Sequence, residues 1–558
     1  MPKKIKIFCL NDNRRHTLPA GTDLLTLSKN ISHKLKYPVL GAMVNNDLQE
    51  LSYEIYRPKH IRFIDITCPD GIRMYIRSLS FILFKAFHEK FPNATLRIAH
   101  SASNGLYCEI DGLGGVIYDD DVTGIRERME EIVKQDIPFL REEMENNEAL
   151  AIYEKNKMYD KCKLFTNRRL LYTSVYTLEN TIDYFYGYLV PSTGYIKKFG
   201  LIKFHEGLLL QYPQKDNPGE LVPFVKQEKM FDIFKEHKKW AKILDVANVG
   251  NLNELILGKQ VGEIIKISEA LHEKKIARIA DIIHSLKQRL KLILISGPSS
   301  SGKTSFCKRL SIQLRVLGFK AFLISLDDYF VDREQTPRDK NGEYDFECLE
   351  AIDIELFNEN MLDLMAGKEV ELPHFDFNNG KRASKGIKIH ADEESVFIVE
   401  GIHGLNPGLT PKISNDSKFK IYVSALTQVS IDNHNRIPTT DNRLIRRMVR
   451  DFNYRGYSSL ETLKRWQSVR RGEDRNIFPF QEEADAMFNS ALLYEIAVLK
   501  KRALPILQEV PESEEELSEA RRLIKFLTYF NDVPDRLEKE IPPTSIIREF
   551  IGGSSFKY

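Results

Sequence analysis

Gly297-Pro298-Ser299-Ser300-Ser301-Gly302-Lys303-Thr304 fits the pattern G-x-x-x-x-G-K-[ST] at every specified position. Residues of these types at this spacing bind phosphate. The glycines let backbone N–H groups turn inward onto phosphate oxygens, and the positive end of a following helix dipole adds to the attraction. Lys303 is expected to reach the β- and γ-phosphates of a nucleotide, and the Thr304 hydroxyl suits Mg²⁺. Gly297, Ser299, Ser300, Ser301, Gly302, Lys303, Thr304 and Ser305 are therefore the expected nucleotide-binding residues.

Two apolar runs end in carboxylates. Ala321 to Leu326 leads into Asp327-Asp328, and Val396 to Val399 leads into Glu400-Gly401. Ligands of open parallel sheets bind at the carboxyl ends of strands. A carboxylate at Asp327 can there orient an acceptor hydroxyl and take its proton; acidic strand ends also serve as simple helix caps, which leaves the role open on residue type alone. Glu400 suits Mg²⁺, although aspartate is commoner in this class. Arg443, Arg446, Arg447 and Arg450 stand at i, i+3, i+4 and i+7, on one helical face, with Arg455-Gly456 shortly after. Planar, permanently charged forks in such a row are expected to form a lid that clamps phosphates.

The elements that must position these groups are legible. Leu292 to Ser296 is a short buried-type strand, and Phe306, Leu310 and Leu314 recur at helical spacing after the loop. Strand, glycine-rich loop and helix follow in the required order, so residues 288–508 are expected to be an α/β domain with a parallel sheet.

Within that region the series Gly297 to Thr304, Leu326-Asp327-Asp328-Tyr329-Phe330, Tyr344-Asp345-Phe346, Pro373-His374-Phe375-Asp376-Phe377, Val399-Glu400-Gly401 and Arg446-Arg447-Met448-Val449-Arg450-Asp451 with Arg455-Gly456 resembles uridine kinase within the uridine kinase and phosphoribulokinase group, over about 220 residues. The resemblance implies an ATP- and Mg²⁺-dependent transfer to the 5′-hydroxyl of a nucleoside, uridine or cytidine first, as in pyrimidine salvage. It implies catalytic roles for Asp327 as general base and for Lys303, Arg450 and Arg455. It places Asp345 on the ribose hydroxyls, Phe375, Phe377 and Arg447 on the substrate, and Thr304 and Glu400 on the metal. Four positions depart from the pattern. Phe375 and Gly380 stand where the family has a tyrosine and a histidine that read the base, Tyr457 replaces an arginine and Arg465 a glutamine. Losing two hydrogen-bonding groups removes sharp discrimination between bases, so the acceptor stays open, a nucleoside or another small hydroxyl compound; ATP against GTP as donor is open separately.

Residues 1–67 alternate strand-like runs (Ile5 to Phe8, Gly41 to Val44, Ile61 to Ile64) with a helical segment near Leu24 to Leu35 and a turn at Asn45-Asn46-Asp47. This α+β module of ubiquitin-like proportions resembles a TGS domain. Residues 68–225 resemble the editing domain of threonyl-tRNA synthetase, through Phe91-Pro92 with Asn104 to Asp111 and through Gly187 to Gly194 with Phe199-Gly200-Leu201. The family's H-x-x-x-H and C-x-x-x-H residues fall on Arg77, Phe81, Phe185 and Leu189, none of which is an ordinary metal ligand. The domain is thus expected to keep its fold without deacylase chemistry. His100, beside a turn, is expected to be structural.

The chain has 558 residues, 81 Lys and Arg against 79 Asp and Glu, and six scattered cysteines without a C-x-x-C pair. Near-neutral charge removes the whole-chain argument for nucleic acid or membrane, and cysteine usage fits a reducing, cytoplasmic setting. No apolar run spans a bilayer. Residues 226–287 read as two or three linker helices. Residues 509–558 read as a helical tail opened by Ser513 as cap, with an apolar face (Leu523, Phe526, Leu527, Phe530) that docks on a neighbouring domain or, in a homo-oligomer, on a second subunit. An RNA-binding, nucleotide-gated regulator is the competing function, motivated by the synthetase-like half, with Lys197-Lys198 and Arg168-Arg169 as the basic candidates.

Overall fold

The computed structural model describes residues 3–31, 33–168, 170–338, 342, 344–376 and 379–558. The architecture is multidomain, with α+β layers in the first half and a parallel α/β sheet in the second.

In the first layer, β1 (Lys4–Cys9), β2 (Arg14–Pro19), α1 (Leu24–Asn30), β3 (Gly41–Val44), β4 (Asp47–Gln49) and β5 (His60–Ile64) form a sheet in the order β2-β1-β5-β3-β4. The alternation of β1 turns Ile5, Ile7 and Cys9 inward against Leu24 and Leu27 of α1. Asn45 and Asn46 both take positive φ, 51° and 62°, the geometry of a two-residue hairpin between β3 and β4. The helix expected to run to Leu35 stops at Asn30. The Asn30 amide reaches back to the Thr26 carbonyl at 3.0 Å, and Ile31 swings to φ −118°, ψ 139°.

The second layer begins with α2 (Pro69–Lys90), followed by β6 (Thr95–Ala102), β7 (Gly105–Asp111), α3 (Asp119–Gln135), β8 (Leu140–Glu145), α4 (Asn146–Lys155), α5 (Tyr159–Thr166), β9 (Tyr172–Leu178), β10 (Thr181–Asp183), β11 (Gly200–Phe204) and β12 (Gly207–Gln211). An antiparallel sheet β11-β12-β7-β6 backs α2, and β8-β9-β10 form a second sheet. Asp136, at φ 52°, closes α3 two residues before Pro138. Three helices follow, α6 (Glu228–Ile243), α7 (Val249–Leu257) and α8 (Val261–Ser285).

The second half is built from β13 (Leu292–Ser296), α9 (Lys303–Val316), β14 (Lys320–Ser325), α10 (Ile354–Met365), β15 (Ser395–Glu400), β16 (Lys418–Ser424), α11 (Thr439–Arg455), α12 (Ser459–Asn476), β17 (Ala486–Asn489) and α13 (Glu495–Gln508). Its five strands are all parallel in the order β14-β15-β13-β16-β17. All five residues of β13 are buried, as a strand covered on both faces requires. From β13 the chain builds outward first on one side and then on the other, so the end of β13 is the topological switch point where such sheets bind ligands.

The tail carries α14 (Leu517–Leu527) and two single turns, α15 (Asp535–Glu538) and α16 (Arg548–Ile551). α14 starts four residues later than the expected cap: Ser513 to Glu516 form a turn in which Leu517 N–H donates to the Glu514 carbonyl at 3.2 Å. Leu523, Phe526, Leu527 and Phe530 are buried in the core that also holds Phe306 and Leu310 of α9 and Ile276 and Ile279 of α8. The tail's apolar face thus docks within its own chain.

The halves interlock through the segment joining β16 to α11. His434 Nδ1 pairs with Asp183 at 2.7 Å, Asn435 donates to the Tyr184 carbonyl at 2.7 Å, and the Asn433 carbonyl accepts from Ile98 N–H at 2.7 Å. Lys161, fully buried, lies 3.0 Å from Asp183 and 3.4 Å from Asp432. Burial alone would favour a neutral amine, but Asp160, Asp183 and Asp432 hold its pKa well above the ordinary lysine value. A second bridge runs from Arg73 on α2 to Glu519 at 2.8 Å, then through Arg522 to Asp441 at the start of α11 at 2.6 Å. Burial would raise Glu519, yet Arg522 and Arg73 hold it well below the usual carboxylate range.

Candidate active site

The phosphate loop leaves β13 under steric pressure. A Cβ on Gly297 would stand 1.9 Å from the Val423 carbonyl oxygen, and Gly302 holds φ +80°, where side chains are strained. Lys303 Nζ donates to the Gly297 and Pro298 carbonyls at 2.9 and 3.3 Å. Ser300 Oγ and Ser301 Oγ are buried in the loop without a hydrogen-bond partner. Buried hydroxyls are normally satisfied, and phosphate oxygens in this cradle would satisfy them, so the residues fit the group that the pattern implies.

Glu400 ends β15 in register with Ile295 of β13 and Ser325 of β14. Its carboxylate accepts the Thr304 hydroxyl, and burial pushes its pKa up to about 7, against Lys303 and Thr304, which pull it down. A carboxylate beside a hydroxyl supplies the hard oxygen donors that Mg²⁺ takes, with phosphates and water completing its shell. The donor set fits the metal.

The acidic pair after β14 divides its labour. Asp328 accepts Phe375 N–H at 3.2 Å and meets His374 Nδ1 at 2.9 Å, so it fixes the following loop. Asp327 is exposed as a residue, but protein surrounds its carboxyl group. That desolvation raises its pKa, while the charges of Lys303 and Arg455 oppose the rise.

The four arginines of α11 do not act alike. Arg443 and Arg446, expected in the lid, are fully buried instead: Arg443 pairs with Glu473 and donates to the Ser299 carbonyl at 3.0 Å, and Arg446 pairs with Glu495 and reaches Ser490 and the Ser300 carbonyl at 3.0 and 3.4 Å. They brace the phosphate loop from behind, because the apolar stripe of α11 turns this side of the helix to the sheet. Arg447 reaches Ser299 Oγ at 2.7 Å, and Arg447, Arg450 and Arg455 converge on buried Asp451 at 3.1, 3.2 and 3.4 Å. Three guanidiniums on one carboxylate leave a net positive cluster, which Arg447 joins to the phosphate loop through Ser299.

On the acceptor side, Asp345 accepts Glu347 N–H at 3.2 Å and lies 3.8 Å from Arg475. Phe375 is buried with its ring 5.8 Å from that of Phe330. Phe377 lies outside the described residues. Ser305 Oγ donates to Glu549 at 2.6 Å. Sequence reasoning missed Glu347, Glu473 and Glu549. Glu347, whose pKa burial and Glu473 push up to about 7 against Arg447, sits two residues after Asp345, and that adjacency was its one signal.

In the first half, Phe81 and Phe185 come together with ring centres 5.4 Å apart, Leu189 is buried in the same core, and Arg77 lies over the Tyr186 ring at 4.8 Å. His100 stacks on Phe234, and burial holds its pKa well below the ordinary histidine value. Arg168 lies 4.1 Å over the Tyr529 ring, turned into the molecule, and Arg169 lies outside the described residues. No helix of the described residues is long and apolar enough to cross a membrane.

Residues 292–497 match the model of the Phosphoribulokinase / Uridine kinase family. Over 181 residues the chain is 30% identical to a uridine kinase of Schizosaccharomyces pombe, covering 32% of this chain and 36% of that protein. Over 201 residues it is 28% identical to a threonine–tRNA ligase of Thermotoga neapolitana, covering 36% of this chain and 30% of that protein. The chain thus spans about a third of the length of these curated relatives. A solved structure described as a possible uridine kinase from Bacillus stearothermophilus aligns at 18% identity with a TM-score of 0.27, over 39% of this chain and 98% of that one. Residues 292–497 are accordingly a domain of the phosphoribulokinase / uridine kinase family, behind an N-terminal region homologous to threonine–tRNA ligases.

Proposed function

We propose that the protein transfers the γ-phosphate of ATP to the 5′-hydroxyl of a nucleoside, with uridine and cytidine as the first candidates. One observation carries this reading: Lys303, Thr304, Glu400 and Asp327 gather at the carboxyl ends of three adjacent parallel strands, at the switch point of the sheet. In the reaction, the acceptor O5′ forms a bond to the γ-phosphorus as the bond to the β,γ-bridging oxygen breaks, ADP leaves with that electron pair, and Asp327 takes the hydroxyl proton. Bound Mg²⁺, held by Thr304 and Glu400, would neutralise charge on the phosphates. Lys303 carries the β- and γ-phosphates, Ser299 to Ser305 cradle the rest, and Arg447, Arg450 and Arg455 close over the transferring group. Asp345 and Phe375 face the nucleoside. Phe375 carries no hydroxyl where the family has a tyrosine, which supports tolerance toward the base.

The same reading takes 1–67, 68–225, 226–287, 288–508 and 509–558 as the structural units, with 68–225 packing against the kinase rather than deacylating aminoacyl-tRNA. The phenyl contact of Phe81 with Phe185 supports this, since it fills the space that metal-type ligands would need. The test is a coupled assay of the full chain with ATP and Mg²⁺ over a panel of nucleosides. Phosphorylation of uridine or cytidine is expected, and no product from any nucleoside overturns the substrate assignment.

A further inference from the structure

The segment from Ser545 to Tyr558 lies beyond the matched residues 292–497, yet it closes on the phosphate loop. Ser305 Oγ, in the first turn of α9, is held between Glu549 Oε2 at 2.6 Å and the Tyr558 hydroxyl at 2.9 Å. A Cβ on Gly302 would stand 2.5 Å from Ile546 Cγ2. Lys308, one turn further along α9, holds the Lys557 carbonyl and lies 4.8 Å from the Tyr558 ring centre. The segment is pinned elsewhere too: Ser545 bonds Glu269 of α8, Asn453 of α11 donates to the Phe550 carbonyl at 3.3 Å, and the Phe550 ring lies 5.0 Å from the Arg446 guanidinium. It is a built wall that touches α8, α9 and α11.

What this wall meets follows from the polarity of the loop. Lys303, Thr304, Glu400 and Asp327 mark the end at which the γ-phosphate is transferred. A triphosphate laid along the cradle from that end carries its nucleoside at the other, past Gly302 and Ser305, where Ile546, Glu549 and Tyr558 stand. Glu549 is the wrong charge for a phosphate ligand. It is the right group to accept hydrogen bonds from ribose hydroxyls, which are donors. Tyr558 is 59% exposed, with Lys308 over its ring, and a flat base can stack on the part of the ring that Lys308 does not cover.

We propose that residues 546–558 form the nucleoside wall of the donor site, with Glu549 accepting from the donor's ribose hydroxyls and Tyr558 stacking on its base. The proposal rests on the phosphate loop being a nucleotide site, as under the proposed function, and adds a recognition element from outside the family domain.

The test compares two ligands that share phosphates and differ in the nucleoside. ATP and inorganic tripolyphosphate, each with Mg²⁺, are titrated calorimetrically into the full chain, into Glu549→Gln, into Tyr558→Ala and into Tyr558→Phe. Each of Glu549→Gln and Tyr558→Ala is expected to weaken ATP about tenfold while tripolyphosphate stays within about twofold, and Tyr558→Phe, which keeps the ring, retains most of the ATP affinity. Equal weakening of both ligands, unchanged ATP affinity, or tighter binding of both, as an inhibitory plug would give, overturns the proposal. A wild-type protein that binds neither ligand removes the nucleotide-site reading itself and this wall with it; one that binds tripolyphosphate as tightly as ATP removes the wall alone.

Discussion

Both carboxylate oxygens of Glu400 accept the Thr304 hydroxyl, at 2.9 and 3.1 Å. The two groups through which Mg²⁺ would be held are therefore already in contact, and the carboxylate titrates near neutrality because it is buried, to about 7. A proton and the metal compete for it. Lowering the pH from 8 to 6 is expected to raise the Mg²⁺ concentration needed for half-maximal turnover about tenfold, and Glu400→Gln to flatten that dependence. A wild-type Mg²⁺ requirement that is constant over this range contradicts the assignment.

Glu347 and Glu400 also shape stability. Burial raises both from 4.5 to about 7. Between those values the folded protein keeps protons that the unfolded chain has released, so the two groups make the fold less stable as pH rises through that window, with no further loss above it. Glu347→Gln removes one titrating group. Its melting temperature should fall less than that of the wild type between pH 5 and pH 7.5, and parallel curves would refute the shift.

Asp327→Asn keeps the shape of the side chain and removes the base. Turnover should fall by about 10²- to 10⁴-fold while ATP affinity stays within about twofold. Lys303→Ala, which removes the cation of the cradle, should damage both. Equilibrium binding beside initial rates separates the cases, and a wild-type rate in Asp327→Asn would end its role as base.

Arg446 and Arg450 are one helical turn apart and should respond oppositely. Arg446 is fully buried against Glu495. Removing it as Arg446→Ala strands that carboxylate, at about 3–5 kcal/mol. Arg450 shares Asp451 with Arg447 and Arg455, so Arg450→Ala should cost at most about 1 kcal/mol and show its effect in turnover. Denaturant melts and steady-state rates on the same two variants check this.

Lys161→Met leaves Asp183 and Asp432 buried without their cation, again at about 3–5 kcal/mol. Since these carboxylates belong to different halves, the loss should appear in one shared calorimetric transition. Two separate transitions, only one of them shifted, would show that the halves unfold independently.

What the chain disclosed in advance was local. Strand Leu292–Ser296 follows from a short apolar run, the loop from a fixed spacing and its helix from a 3.6-residue apolar period, and strand and helix were found where these signals put them. The strand end at Glu400 was legible for the same reason. The fates of Arg443 and Arg446 were not, because their acids stand 30 and 49 residues away on other helices. Nor was Glu549, which is 244 residues from the serine it meets. Tyr457 and Arg465 read separately as two departures from the family pattern, yet the Arg465 guanidinium lies 4.2 Å from the Tyr457 ring centre. They form a single cation–π contact at the α11–α12 corner.

The Arg443 guanidinium, which donates to the Ser299 carbonyl, lies 5.4 Å from the ring of Trp466, and the chain has only two tryptophans. The indole is therefore separated from the phosphate cradle by a single charged side chain, whose field acts on its emission. The other, Trp240, sits on α6 near His272 at 6.4 Å between ring centres. In Trp240→Phe, titration with ATP and Mg²⁺ is expected to shift the emission of Trp466, and an emission that ATP leaves unmoved would show that the indole does not sense the loop.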